Sequence, residues 1–114
     1  MSKISNYISS KIKVLQSPFY LSICGDSMIP TINNGEKVLI EPYANEALKL
    51  GDIIVYRKFD DHLTAHRILN IVRLSETRFY CETKGDNNIK ADSYKVFNHE
   101  IVGIVNLKGM DKYG

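Results

Sequence analysis

Asp52-Ile53-Ile54-Val55-Tyr56-Arg57-Lys58 and, beyond a turn at Asp60-Asp61, Leu63-Thr64-Ala65-His66-Arg67-Ile68-Leu69-Asn70-Ile71-Val72 form the stretch that decides the fold. Both runs are rich in β-branched and aromatic residues, and the acidic pair between them supplies the turn, so they read as an antiparallel hairpin. The same composition recurs at Phe19 to Cys24, Lys37 to Ile40, Arg78 to Lys84 and Ile101 to Leu107, with another turn at Asn33-Asn34-Gly35. Short strands joined by turns predict a mainly β domain, a compact and partly open barrel. Residues 93 to 99 read as a helical turn and residues 108 to 114 as a frayed end. There is no internal repeat and no low-complexity linker. The 114 residues fit one domain, long enough to bury about two-thirds of its unfolded surface.

A polar residue interrupts the second strand of that hairpin. His66 shares a face with Thr64 and Ile68, and a lone strand histidine is most often a hydrogen-bonded, half-buried side chain. Ser27, in Gly25-Asp26-Ser27-Met28-Ile29-Pro30-Thr31, lies between an apolar run and a Pro-containing turn, where its hydroxyl stands clear of the sheet. Alone it reads as a turn residue. Together the two are the halves of an activated nucleophile. A third segment, Thr83-Lys84-Gly85-Asp86-Asn87-Asn88 followed by Asp92, offers carboxylates to orient the imidazole, completing the order of a Ser-His-Asp triad.

Taken in order, Gly25-Asp26-Ser27-Met28-Ile29-Pro30-Thr31-Ile32, Leu50-Gly51-Asp52-Ile53-Ile54-Val55-Tyr56, Ala65-His66-Arg67-Ile68, the Thr83 to Asn88 segment with Asp92, and Ile101-Val102-Gly103-Ile104-Val105 resemble the successive boxes of type I signal peptidases, within the S24/S26 superfamily. The resemblance spans residues 19 to 107. Bacterial signal peptidases and the self-cleaving SOS and phage repressors carry a lysine as general base; the resemblance here is to the archaeal, endoplasmic-reticulum and sporulation-type enzymes, which carry a histidine at the position of His66. A lysine base must be desolvated before it accepts a proton near neutrality, whereas an imidazole starts near a pKa of about 6.5 and needs orientation more than desolvation. The resemblance assigns that orienting role to Asp92. Asp86 is the second candidate, with an equally good reading as a turn-forming aspartate.

Two departures from the pattern stand out. Many signal peptidases have a serine two residues before the nucleophile that helps to bind the oxyanion; here that position is Gly25, which leaves the hole mainly to backbone N–H groups, chiefly that of Ser27. The other departure is the anchor, a spanning helix ahead of the Ser box. Such a helix needs about 20 apolar residues, and residues 1 to 26 contain Lys3, Asn6, Lys11, Lys13, Gln16 and Pro18. No secretory signal is expected there either. Ile4, Ile8, Ile12 and Leu15 instead fall at helical spacing, predicting a short amphipathic helix over residues 1–17, packed on the domain or a protein partner or lying on a membrane surface, followed by a catalytic domain over 18–114.

The sequence thus predicts a serine endopeptidase, cytoplasmic or peripheral to a membrane, that removes a leader or signal segment from a precursor peptide. Ser27 attacks, His66 moves the proton, and Asp92 orients the ring with Asp86 in support. The resemblance implies an extended peptide docked along strand edges with small residues beside the scissile bond; Met28, Leu21, Ile23 and Ile54 are the expected pocket lining. The alternative is a non-catalytic or self-cleaving regulatory domain of the repressor type, disfavoured by His66 and by the short stretch ahead of Ser27. A net charge of +2 is too small to imply nucleic acid. No cofactor or metal is expected, since His62 and His66, four apart on a strand, do not form a helical H-E-x-x-H zinc site. Cys24 and Cys81, in apolar runs without C-x-x-C spacing, read as buried hydrophobes in a reducing compartment.

Overall fold

In the computed structural model, which describes residues 17–43, 47–59 and 62–109, the β-branched runs form strands. These are β1 (Phe19–Ser22), β2 (Lys37–Pro42), β3 (Ile53–Arg57), β4 (Leu63–Arg73), β5 (Phe79–Lys84), β6 (Val96–Phe97) and β7 (Ile101–Asn106). All seven belong to one sheet in the order β1-β2-β7-β3-β4-β5-β6, and every pairing is antiparallel. The sheet is a curled, partly open half-barrel, as the spacing of strands and turns predicts. The proposed helix over residues 1–17 lies outside the described residues except for its last residue, and so do the Asp60-Asp61 turn and residues 110–114.

The central strand is buried on both faces, and each face has its own core. Ile53 and Val55 of β3 join Val38, Ile40, Ala65 and Val105 in one cluster, capped by Met28 and Ile32 from the β1–β2 connection. Ile54 and Tyr56, pointing the other way, join Ile68, Phe79, Cys81, Val96 and Ile101 in a second. A strand that alternates between two cores reads as a continuous apolar run, as 53–56 does.

Two expectations need correction. Residues 96 and 97 are not in a helical turn: they pair with Cys81 and Tyr80 as β6, and the turn is displaced to a 3-10 turn over Asn98–Glu100. Val96 is wholly buried and the Phe97 ring sits edge-on to Tyr80 at 5.7 Å, contacts that need the strand register. Cys24 is exposed, because β1 ends at Ser22 and the chain turns at Gly25 with φ at +98°. Cys81 is buried as expected, and burial pushes its thiol up to about 11, which keeps it unreactive.

Ile32 is fully buried and fastens the β1–β2 connection to the sheet. Ile32→Ala is expected to lower unfolding stability by about 2–4 kcal/mol through lost burial and a residual cavity, measured by urea denaturation.

Candidate active site

The middle of β4 must serve two environments. Ala65 enters the first core, while His66, opposite Ile54 in register, faces the second and is 7% exposed. A buried imidazole needs partners for both ring nitrogens. Here Nδ1 lies 2.6 Å from Asp92 Oδ2 and Nε2 lies 3.2 Å from Ser27 Oγ. With the proton on Nδ1 shared with the carboxylate, Nε2 is the acceptor for the serine hydroxyl.

Asp92 reaches the ring because its segment is clipped back onto β5. Its N–H donates to the Thr83 carbonyl at 2.8 Å, and the Thr83 hydroxyl donates to Asp92 Oδ2 at 2.7 Å. The Tyr56 hydroxyl stands 3.4 Å from the same oxygen and 2.6 Å from the Tyr94 hydroxyl. Burial pushes both phenols up in pKa, so they remain neutral O–H groups.

Ser27 lies in the connection between β1 and β2, pinched at its base by Ile23 N–H to Glu36 O at 3.0 Å and Gly35 N–H to Ile23 O at 2.6 Å. The Gly25 N–H donates to Asn34 Oδ1 at 2.9 Å. A serine at Gly25 would have to adopt the same left-handed conformation, φ +98°, which L side chains rarely take; this accounts for the departure at that position. The 85–88 turn holds the other side of the segment: the Asn87 N–H donates to the Ser27 carbonyl at 2.8 Å and Asn87 Nδ2 to the Asp26 carbonyl at 3.0 Å. Gly85 stands where the nucleophile and base segments meet. A Cβ there would lie 2.7 Å from Ser27 O and 3.1 Å from His66 Nε2, so any side chain would press the two apart.

The remaining site candidates divide. Asp86 bonds not the imidazole but the neighbouring guanidinium, with Arg67 Nε and Nη2 at 2.8 and 2.7 Å and the Thr31 hydroxyl at 2.5 Å. Arg67 Nη1 in turn donates to the Gly51 carbonyl at 2.7 Å. Asp86 thus ties the serine segment, β4 and the entry to β3 together. Arg67, with help from Thr31, holds its carboxyl below the usual aspartate value, and the same bonds raise Arg67. Of the expected pocket lining, Leu21 and Ile23 are half-buried beside the first core. Met28 and Ile54 are 1% and 0% exposed and offer no surface to a peptide; Ile54 belongs to the other core altogether. Tyr56, Thr83 and Tyr94 were not among the site residues read from sequence. Strand parity places Tyr56 two residues from Ile54, on the face of His66, and would have found it; Tyr94 lies in an irregular segment and carried no such signal.

Among the described residues, no three His, Cys, Asp or Glu side chains converge as metal ligands, and no helix is long and apolar enough to cross a membrane. The curled sheet, with this constellation at its rim, defines a domain of the S24/S26 peptidase type. The chain belongs to the Peptidase S24-like family, whose model matches residues 1–105. Among curated proteins it is similar to Signal peptidase I W of Bacillus subtilis (strain 168), at 31% identity over 81 residues, which are 70% of this chain and 42% of that protein. The chain therefore spans less than half the length of that relative.

The Asp86 bridge has a definite pH signature. A carboxyl with a lowered folded pKa contributes its full stability above the unfolded value of about 3.9, and loses it as pH falls through the folded value. Asp86→Asn is expected to lower stability at pH 7 by about 1–2 kcal/mol, discounted for partial exposure. The gap between the two urea midpoints should narrow progressively below about pH 4 as wild-type Asp86 protonates.

Proposed function

We propose that this domain is a serine endopeptidase of the histidine type, cleaving a leader or signal segment from a precursor peptide. The observation that carries the reading is the unbroken line Ser27 Oγ, His66 Nε2, His66 Nδ1, Asp92 Oδ2, with steps of 3.2 and 2.6 Å. His66 takes the Ser27 proton as Oγ attacks the scissile carbonyl, and Asp92 stabilises the imidazolium that forms. The proton then passes to the leaving amine, and water, activated by the same imidazole, releases the acyl group. The Ser27 N–H donates to no acceptor among the described residues and is the backbone donor for the developing oxyanion.

The topology supports one route for the substrate. Among the described residues β1 is an edge strand, paired only with β2, and runs directly into the Ser27 segment. An extended peptide adding to that edge is carried toward the nucleophile, past the half-buried Leu21 and Ile23 and the side-chain-free Gly25. We place this activity in the cytoplasm or at a membrane surface, with residues 1–17 as the contact to a membrane or protein partner.

The decisive variants are Ser27→Ala, His66→Ala and their combination, assayed with a quenched fluorogenic peptide carrying alanine beside the scissile bond. Residues acting as one unit lose activity non-additively, so all three are expected at a common floor, about 10³-fold or more below wild type. Asp92→Asn is expected to reduce kcat by at least about 10²-fold with little change in KM. Undiminished cleavage by Ser27→Ala would sink the assignment of the nucleophile, and absence of cleavage by the wild type would favour a regulatory or binding domain.

A further inference from the structure

Asp92 Oδ2 is the focus of an unusual number of donors. It receives His66 Nδ1 at 2.6 Å, the Thr83 hydroxyl at 2.7 Å and the Tyr56 hydroxyl at 3.4 Å. Thr83 and the backbone clip hold the carboxylate from the β5 side, and Tyr56 is its donor from β3. Tyr56 is 0% exposed, and a buried hydroxyl without a partner costs about 1–3 kcal/mol. Phenylalanine would fill the same space without that requirement.

The direction of the tyrosine bonds follows from counting protons. Each phenol has one. With Nδ1 of His66 sharing its proton with Asp92, the Tyr56 hydroxyl, 3.4 Å from Nδ1, has no acceptor there. Its remaining acceptors are Asp92 Oδ2 and the Tyr94 oxygen. Tyr56 donates to Asp92 Oδ2, which uses its one proton, so the 2.6 Å bond is donated by Tyr94 and the two phenols form a directed chain ending on the carboxylate. The rings are held for it. Tyr56 lies edge-on to His66 at 6.3 Å and to Tyr94 at 6.1 Å, and Tyr94 is braced edge-on by Phe59 at 5.3 Å.

We propose that Tyr56 and Tyr94 are positioning residues for the Asp92–His66 pair: their hydroxyl chain donates to Asp92 Oδ2 and keeps the carboxylate aligned on the imidazole while His66 carries the proton. This rests on the peptidase reading above. The moment that matters is the tetrahedral intermediate, when the imidazolium exists. A carboxylate fixed by a third donor keeps its oxygen on the Nδ1–H and so stabilises the imidazolium. The groups in contact with the imidazole are Tyr56 from β3, Asp92 from the segment after β5 and Ser27 from the β1–β2 connection, with Thr83 behind Asp92 and Tyr94 behind Tyr56. Among the described residues, Asp92 is the acidic group that bonds the ring, since Asp86 is occupied by Arg67 and Lys84 Nζ by the Gly85 carbonyl at 3.2 Å.

The test is Tyr56→Phe, with Tyr94→Phe beside it, assayed with the same fluorogenic peptide. For Tyr56→Phe, kcat is expected to fall about tenfold with KM changed less than about twofold, the loss of one bond to a charged group acting on the transition state. Tyr94→Phe should fall less. In proton NMR of the free protein, the downfield Nδ1–H resonance of His66 should move in Tyr56→Phe, while the urea midpoint stays near wild type. An unchanged kcat with an unmoved resonance overturns the proposal. So does a kcat loss that tracks a lowered urea midpoint with the resonance unmoved, which would assign Tyr56 to packing alone. Because the resonance is read without substrate, it decides the proposal even if the cleavage assays show that the peptidase reading is wrong.

Discussion

Everything in this domain depends on the pairing of β7 with both β2 and β3. Ile104 and Val105 face Glu41 and Ile40 on one side, and Ile104 and Gly103 face Ile54 and Val55 on the other. Remove that strand and the sheet falls into two pieces, a β1–β2 hairpin bearing Ser27 and a β3–β6 meander bearing His66 and Thr83. Neither piece holds a complete core: the first cluster draws on β2, β3, β4 and β7, and the second on β3 to β7. The last of the described strands is therefore the one that joins hydroxyl to imidazole. Such long-range pairing delays folding relative to local contacts, and it makes the site a property of the whole domain.

Once the halves are joined, the rim of the sheet is fixed by polar contacts of different kinds. The Asn87 amide fastens the Ser27 carbonyl, and the Arg67–Asp86 bridge ties in Thr31 and Gly51. Gly85 leaves the gap through which serine and histidine approach. Among the described residues no buried side-chain nitrogen or oxygen is left without a partner, so the polar rim adds no desolvation penalty for orphaned groups. The two aspartates have separate work: one faces the imidazole, and the other holds the segments that bring Ser27 to it.

Most of this architecture was legible in the sequence, and the misses have physical causes. Composition located the strands because β3 packs on both faces, so 53–56 is an uninterrupted apolar run, and because β4 is rich in aliphatic residues between its polar ones. Val96-Phe97 was read as part of a helical turn because two residues carry no periodicity; only the open edge of β5 makes them a strand. The pairing of Ser27, His66 and Asp92 could be anticipated from residue type and order. The part played by Asp86 could not, because a turn-forming aspartate and one that bridges to Arg67 look alike until β4 and the 85–88 turn are adjacent. Met28 and Ile54 were expected at a pocket on the strength of being apolar near Ser27 and His66. Their complete burial follows from sheet parity and loop packing, which no single residue reveals.

Between Ile68 and Asn70, β4 carries one residue more than β5 can match: Ile68 pairs with Thr83, Asn70 with Glu82, and Leu69 with nothing. That extra residue shifts the parity of the strand, so that His66 and Ile68 face the second core before it and Ile71 faces the same core after it, while Asn70 turns out to meet Glu82. A bulge also tightens the local twist, and Leu69 is 45% exposed. Changes in chain length are therefore not equivalent along this hairpin. Dropping Leu69 would straighten the ladder and leave every partner in place, and extra residues at the exposed 74–78 tip would extend a loop. One residue gained or lost between Leu63 and Ile68, or between Cys81 and Lys84, would rotate either His66 or Thr83 onto the opposite face. In descendants of this chain, insertions and deletions should accumulate at the tip and at the bulge, and be absent from the short spans that aim the imidazole.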